Sequence, residues 1–171
     1  MQKFLIVVDM QNDFIDGALG TSEAVAIVDN VAARIARARA EGEQVWFTRD
    51  THPENYLETQ EGRNLPVVHC VKGTPGWQIS SKLDVADSPV VDKPSFGSLE
   101  LANAIGAMED VESIELIGLC TDICVISNAM ILKAKLPEVP ISVDASCCAG
   151  VTPASHDNAL SAMKMCQIQV L

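Results

Sequence analysis

Three residues that can take part in nucleophilic chemistry follow strand-length segments of the chain: Asp9, Lys93 and Cys124. Asp9 comes after the apolar run Phe4–Val8, where a carboxylate is suited to act as a general base. Lys93 follows Val90–Asp92, and its positive charge would stabilise a nearby thiolate or carboxylate. Each also has an ordinary interpretation, a strand-end turn or helix cap for Asp9 and a solvated surface position for Lys93.

The proposed nucleophile lies in the segment Gly118-Leu-Cys-Thr-Asp-Ile-Cys-Val125. Thr121 or Asp122 would cap the next helix and place Cys124 near its first turn. Free N–H groups and the positive end of the helix dipole there lower the pKa of a thiol and favour the thiolate. The alternative is a buried, unreactive Cys124. The offset from Cys120 to Cys124 does not match a thioredoxin motif, and it is a weak indication of a metal site.

A second set of residues has the chemistry of a metal site. Asp50, His52 and His69 offer one carboxylate and two imidazoles, and Glu61 between the histidines would supply a further oxygen. Such a set leaves room for water or substrate on a divalent cation. In the alternative interpretation, the two histidines make hydrogen bonds within their loop.

The elements that must position these residues alternate along the chain. Six short apolar segments are typical of buried parallel strands: Phe4–Val8, Val45–Thr48, Val90–Asp92, Ile114–Ile117, Ile141–Val143 and Ile168–Leu171. Amphipathic helical patterns separate them: Ser22–Glu41, Leu99–Met108, Thr121–Lys135 and Pro153–Met165. This order predicts one α/β domain over residues 1–171, a three-layer αβα arrangement around a six-stranded, mainly parallel sheet. The long segment 50–77 follows a strand and fits neither pattern, as functional loops often do.

Composition excludes several classes of function. The chain has 171 residues with a formal net charge of -11, so we expect no nucleic-acid partner and no membrane association. We expect no export signal, because Phe4–Val8 is too short for a signal-peptide core, and a cytoplasmic location follows. Of the six cysteines, we expect four, other than Cys120 and Cys124, to pack in the interior. His156 is expected at the surface or as a helix cap.

Five ordered motifs resemble the isochorismatase-like cysteine hydrolases, and within them the nicotinamidases. The motifs are Val7-Val-Asp-Met-Gln-Asn-Asp-Phe14, Thr48-Arg-Asp-Thr-His-Pro53, Pro66-Val-Val-His-Cys70 with Gly73-Thr-Pro-Gly76, Asp92-Lys-Pro-Ser-Phe96 and Gly118–Val125. The resemblance implies a catalytic triad of Asp9, Lys93 and Cys124. It implies a cis peptide bond before Cys120, with the backbone N–H groups of Cys120 and Cys124 forming the oxyanion hole.

The same resemblance implies a metal and a substrate pocket. Asp50, His52 and His69 match metal ligands, with Glu61 as the fourth ligand and zinc, or else iron or manganese, as the metal. Phe14 and Phe96 match pocket positions, and Trp77 would add to the aromatic wall; their alternative interpretation is ordinary core. Leu65 stands where nicotinamidases commonly have an aromatic residue, and the interval from Pro66 to His69 is one residue longer, which weakens nicotinamide as the specific substrate. Family members are often homo-oligomers, so we expect one here.

These observations leave several functions in competition. The first is a metal-containing cysteine amidase that converts nicotinamide to nicotinate, in NAD salvage. The second is a family amidase for another small-molecule amide, such as a ureido or carbamoyl compound, although such members often lack the metal residues. Isochorismate hydrolysis is disfavoured because that branch typically lacks the cysteine. A non-catalytic metal-binding protein with the same fold is the alternative from a different class. No Gly-x-Gly-x-x-Gly follows the first strand, so a dinucleotide-binding role is not supported.

Overall fold

The computed structural model describes residues 1–171 and contains one six-stranded sheet. The strands are β1 Gln2–Val8, β2 Gln44–Asp50, β3 Val90–Lys93, β4 Val111–Leu119, β5 Ile141–Ala149 and β6 Gln169–Val170. Their order is β3-β2-β1-β4-β5-β6, and every neighbouring pair is parallel. The predicted α/β fold and mainly parallel sheet are confirmed. β5 extends well beyond its predicted end because its second half pairs again with β4 after a register shift between Leu116 and Gly118.

Helices cover both faces of this sheet, as the residues of β1 show. The helices are α1 Asn12–Ile15, α2 Ser22–Ala40, α3 Gln60–Asn64, α4 Leu99–Gly106, α5 Ile126–Lys135 and α6 Pro153–Met165. Phe4, Ile6 and Val8 pack in the core cluster that includes residues of α4, α5 and α6. Leu5 and Val7 pack in a second cluster with residues of α1 and α2. Alternation along one strand therefore creates two cores and the three-layer arrangement.

Hydroxyl side chains define where the helices α2, α4 and α6 begin. Thr21 caps α2 by accepting a hydrogen bond from the N–H of Ala24, and Ser98 caps α4. Thr152 caps α6 and forms a capping box with Ser155. Each cap satisfies backbone N–H groups that have no partner within the helix. Three of the four predicted helices therefore lie within two residues of their predicted bounds, and the fourth differs at the functional site.

Segment 51–77 is organised by short turns of helix rather than by a long element. A 3₁₀ turn covers Tyr56–Glu58, α3 follows it, and another 3₁₀ turn covers Pro75–Trp77. The β2 end, where this segment begins, lies beside the ends of β1 and β3. This arrangement holds the loop over the carboxyl edge of the sheet, where α/β proteins bind ligands.

The β1 and β4 backbones approach most closely where both strands end. Val8 is paired with Gly118, which has a φ of 116°. A Cβ atom at position 118 would lie 2.2 Å from the carbonyl oxygen of Val8. Only glycine fits this position, both for its backbone conformation and for the contact.

The structure corrects the expectation that all four remaining cysteines pack in the interior. Cys70, Cys147 and Cys148 are buried, as expected, but Cys166 is exposed. Cys166 directly follows the last residue of α6 and so lies outside the core that this helix covers. The helices include none that is both long and apolar enough to cross a membrane.

Candidate active site

The three candidate catalytic residues meet although they come from different parts of the sheet. Asp9 follows β1, Lys93 ends β3, and Cys124 lies after β4. The Nζ atom of Lys93 is 2.6 Å from Oδ2 of Asp9 and 3.4 Å from Sγ of Cys124. Lys93 and Asp9 are both 0% exposed, and Cys124 is 4% exposed. A carboxylate, an ammonium group and a thiol thus share one buried site.

Burial controls the protonation of this group. It raises the pKa of Cys124 well above its ordinary value, and the charge of Asp9 adds to that effect more than Lys93 opposes it. Burial also raises the pKa of Asp9, against the opposing charge of Lys93. The pKa of Lys93 is raised despite burial, because Asp9, Cys124 and Asp50 favour its charged form. Desolvation therefore opposes the thiolate that a helix N-terminus would favour.

The turn that carries Cys124 is a π-helix, Thr121–Val125, followed by α5. The predicted caps are also wrong, because neither side chain is a cap of this turn. Thr121 Oγ1 instead lies 2.7 Å from Nδ1 of His156, and Asp122 accepts from the N–H of Val151. His156 is therefore partly buried against this turn, rather than at the surface or in a cap.

The bond between Leu119 and Cys120 is cis. Cys120 and Cys124 both line the cavity described below. Burial raises the pKa of the Cys120 thiol to about 12. The assignment of their backbone N–H groups to an oxyanion hole stays a prediction.

The four candidate metal ligands form a second cluster next to Lys93. One ligand atom from each of Asp50, His52, Glu61 and His69 lies within 4.8 Å of all the others. Nε2 of His52 is 2.9 Å from Oδ2 of Asp50 and 3.6 Å from Oε1 of Glu61. Nε2 of His69 is 3.6 Å and 3.8 Å from the same two oxygens. Ligands bound to zinc in a tetrahedron are roughly 3.3–3.6 Å apart, which two of these four distances match. Two imidazole nitrogens and two carboxylate oxygens are also a donor set that suits a divalent metal.

The contacts around this cluster orient its ligands. Nδ1 of His69 donates to the carbonyl of Val67 at 2.8 Å, which directs Nε2 into the cluster. Burial would raise the pKa of Asp50, but hydrogen bonds from His52 and His69 and the charge of Lys93 outweigh it and hold that pKa well below its ordinary value. Burial and the charge of Asp50 raise the pKa of Glu61. Two carboxylates in one buried place repel each other, and a cation between them would relieve that repulsion.

Several positioning residues were missed by reasoning from residue types. Gln11 is fully buried; its Oε1 accepts from the N–H of Asp50 at 2.7 Å and its Nε2 donates to the carbonyl of Asp50 at 2.8 Å. Asp13 accepts from the N–H of Cys70, next to His69, at 2.8 Å. Thr48 donates to Oδ1 of Asp9 at 2.7 Å. The available signal was a run of short polar side chains directly after a buried strand.

A cavity of about 250 Å³, here called the active-site cavity, connects the two clusters. Cys124 and the metal-ligand candidates Asp50, Glu61 and His69 line it. The remaining wall is mostly apolar and includes Phe14, Leu65 and Phe96. Its volume is below the roughly 300–1,000 Å³ of sites for drug-sized ligands, which suits a small substrate.

Trp77, which we expected in the pocket wall, does not line this cavity. It is buried, donates from Nε1 to Oγ1 of Thr51 at 2.9 Å and lies under the guanidinium of Arg49 at 3.6 Å. Its carbonyl accepts from Nε2 of Gln11 at 2.9 Å. Trp77 therefore contacts Gln11, which in turn bonds the backbone of the metal-ligand candidate Asp50.

Comparisons with known proteins agree with this fold. The isochorismatase domain family model matches residues 3–171. The nicotinamidase of Escherichia coli (strain K12) is 30% identical over 192 residues, which cover 94% of this chain and 89% of that protein. The crystal structure of the pyrazinamidase of Pyrococcus horikoshii in complex with zinc has a TM-score of 0.87 at 28% identity and covers 100% of this chain and 99% of that one.

A further similar structure belongs to an enzyme with a different named activity. The N-carbamoylsarcosine amidase from Thermoplasma acidophilum has a TM-score of 0.78 at 26% identity, with 99% of this chain and 95% of that chain covered. The assignment of the chain to a family rests on the match of the family model over nearly the whole chain. The chain belongs to the isochorismatase family and, within it, is similar to the nicotinamidases.

Proposed function

We propose that the protein is a nicotinamidase that hydrolyses nicotinamide to nicotinate and ammonia through a thioester on Cys124. The observation that carries this proposal is the active-site cavity, which places Cys124 and three of the four metal-ligand candidates on the wall of one small, mainly apolar space. An aromatic amide needs such a wall for its ring and a nucleophile for its carbonyl carbon. Similarity to the nicotinamidase of Escherichia coli and to the pyrazinamidase of Pyrococcus horikoshii supports the same choice.

The chain's own residues provide the proton transfers. Asp9 accepts the proton of the Cys124 thiol as the sulfur attacks the amide carbonyl, which gives a tetrahedral intermediate. The C–N bond then breaks, Asp9 gives its proton to the leaving nitrogen, and ammonia departs from the thioester. Water next loses a proton to Asp9 and attacks the thioester, which releases nicotinate and restores the thiol. Lys93, 2.6 Å from Asp9, favours the ionised form of that carboxylate between the steps.

Asp50, His52, His69 and Glu61 would hold the metal, and zinc is the ion that this two-nitrogen, two-oxygen set favours, with iron or manganese as alternatives. When bound, the metal would hold the pyridine nitrogen of the substrate. Two backbone N–H groups, from Cys120 and Cys124, would stabilise the oxyanion, and each such donor commonly contributes about 3 kcal/mol. In the cytoplasm, this reaction would serve NAD salvage.

The experiment is ammonia release from a panel of small amides by the native protein, by Cys124→Ala and by protein stripped of metal. We expect nicotinamide to be hydrolysed by the native protein alone. A native protein that binds zinc but releases no ammonia from nicotinamide would refute the proposal. Ammonia release by Cys124→Ala at the native rate would refute the thioester route.

A second candidate function is hydrolysis of a carbamoyl compound. The fold similarity to the N-carbamoylsarcosine amidase and the presence of aliphatic Leu65 in the cavity wall favour it. The same panel separates the two functions if it includes N-carbamoyl amino acids. Preference for these over nicotinamide, with no loss on metal removal, would support the second function.

A further inference from the structure

A second cavity, here called the side cavity, adjoins the active-site cavity and has a volume of about 550 Å³. Glu61, Leu65, Phe96 and Ile123 line both cavities. These four residues therefore form the wall between them. The metal-ligand candidates His52 and Glu61 also line the side cavity, but the rest of its lining takes no part in the nicotinamidase chemistry described above.

The wall has a fixed backbone and movable side chains. The hydroxyl of Tyr56 donates to the carbonyl of Leu65 at 2.9 Å, and the side chain of Asn128 donates to the carbonyl of Phe96 at 3.2 Å. The residues themselves are 40% and 45% exposed. Exposed side chains change rotamers rapidly, so Leu65 and Phe96 can move apart without disturbing the loops that carry them.

The lining of the side cavity indicates what it would accept. Besides the metal-ligand candidates His52 and Glu61, five residues with neutral hydrogen-bonding side chains line it: Thr51, Thr59, Gln60, Asn64 and Ser95. No lysine or arginine lines it, and Glu61 provides a carboxylate at the wall. A hydroxyl or amide would find both donors and acceptors among the five neutral side chains, whereas an anion would find no ammonium or guanidinium group in the lining.

We propose that the side cavity is a subsite for a neutral polar substituent on the ring of an aromatic amide substrate. The substituent would pass between Leu65 and Phe96 while the carboxamide stays at Cys124. Gln60 and Asn64 line the side cavity but not the active-site cavity, so their side chains would contact the substituent alone. This inference rests on the proposed function, because it takes the amide to be bound at Cys124.

The test compares two nicotinamides of the same size, one with a 2-hydroxyethyl and one with an n-propyl group at ring position 5. Transfer from water alone favours the propyl compound, so a preference for the hydroxyl compound requires hydrogen bonds. We expect its kcat/KM to exceed that of the propyl compound by roughly fivefold, the effect of about one net hydrogen bond. In the double variant Gln60→Ala/Asn64→Ala, this ratio should fall to about one or below.

The matched control is Asn55→Ala, an exposed amide in the same segment that lines neither cavity, and it should leave the ratio unchanged. Native protein that hydrolyses nicotinamide but neither substituted compound would overturn the subsite and leave the proposed function standing. An unchanged ratio in the double variant would overturn it as well. Failure on nicotinamide and on both derivatives would refute the proposed function, and the subsite with it.

Discussion

The Nζ atom of Lys93 lies 3.2 Å from Oδ1 of Asp50, while Oδ2 of the same carboxylate lies 2.9 Å from Nε2 of His52. Asp50 therefore joins the metal-ligand cluster to the catalytic cluster through its two oxygens. Lys93 in turn contacts Asp9 and Cys124. A change of charge at either cluster reaches the other through these two side chains, with no solvent between them to screen it.

Replacing Lys93 by methionine should destabilise the protein severely. The change keeps the volume but leaves the buried carboxylates of Asp9 and Asp50 without their shared cation. Breaking a buried ion pair in this way costs about 3–5 kcal/mol in the free energy of unfolding. Denaturant unfolding of metal-free protein measures it, with exposed Lys82→Met as a control that should change stability by less than about 0.5 kcal/mol. A loss below about 1 kcal/mol for Lys93→Met would contradict the assigned pairing.

The stability that Asp50 contributes should disappear in acid. Its folded-state pKa lies below the ordinary value of 3.8, because hydrogen bonds and Lys93 outweigh burial. The contribution is therefore complete above that ordinary value and is lost as the pH falls below it. Asp9 has the opposite sign, since its pKa is raised, so a variant is needed to isolate Asp50.

The measurement is the free energy of unfolding of metal-free native protein and of Asp50→Asn, from about pH 6 to about pH 3. We expect the difference between the two proteins to narrow as the pH decreases through the range below 3.8. A difference that stays constant over this range would show that the Asp50 carboxylate gains nothing from its neighbours.

Loss of one histidine should abolish tight metal binding. His69→Ala removes one of four donors and should lower zinc affinity by more than about 100-fold, since changing a residue that only supports a ligand costs about 10–100-fold. Competition with a chromogenic chelator measures the affinity. The control is His156→Ala, because His156 contacts Thr121 and belongs to no ligand group. Equal zinc affinity in the two variants would argue against this metal site.

Replacing Cys124 should remove most of the activity, whereas replacing Cys166 should not change it. Cys124→Ala removes the proposed nucleophile and should lower kcat for nicotinamide by about 1,000-fold or more, with zinc still bound. Cys166→Ala changes an exposed thiol outside the cavity and should retain native kcat. Ammonia release measures both, and the melting temperature of each variant shows that it is folded. Comparable losses in the two variants would indicate a structural effect rather than loss of a nucleophile.

Much of the fold could be predicted because apolar strands and amphipathic helices alternate along the chain. The start of β4 and the end of β5 could not be predicted, since Glu112, Ser113, Asp144 and Ser146 are polar. Pairing of the two strands with their neighbours includes these residues in the sheet. The π-helix was also beyond prediction. The continuous pattern from Thr121 to Lys135 is compatible with one α-helix, and the bond from the N–H of Val125 to the carbonyl of Cys120 depends on tertiary contacts.

Some residues of the candidate site could likewise be predicted from the sequence, and others could not. Asp9, Cys124 and the metal-ligand candidates follow strands or lie in the long segment, so their types and positions identified them. Gln11 and Trp77 could not be assigned from sequence, because their roles depend on which residues face each other across the loop. The raised pKa of Cys124 could not be predicted either, because burial, its main cause, is a property of the packed structure.

The contact between Gly118 and Val8 has a consequence for evolution and for library design. Any larger residue at position 118 must separate the ends of β1 and β4, and these ends carry Asp9 and the turn with Cys124. The spacing between Asp9 and Cys124 therefore depends on the lack of a side chain at position 118. This position does not line the active-site cavity. In a saturation library selected for activity, position 118 should retain only glycine, and a screen limited to residues in the cavity wall would overlook it.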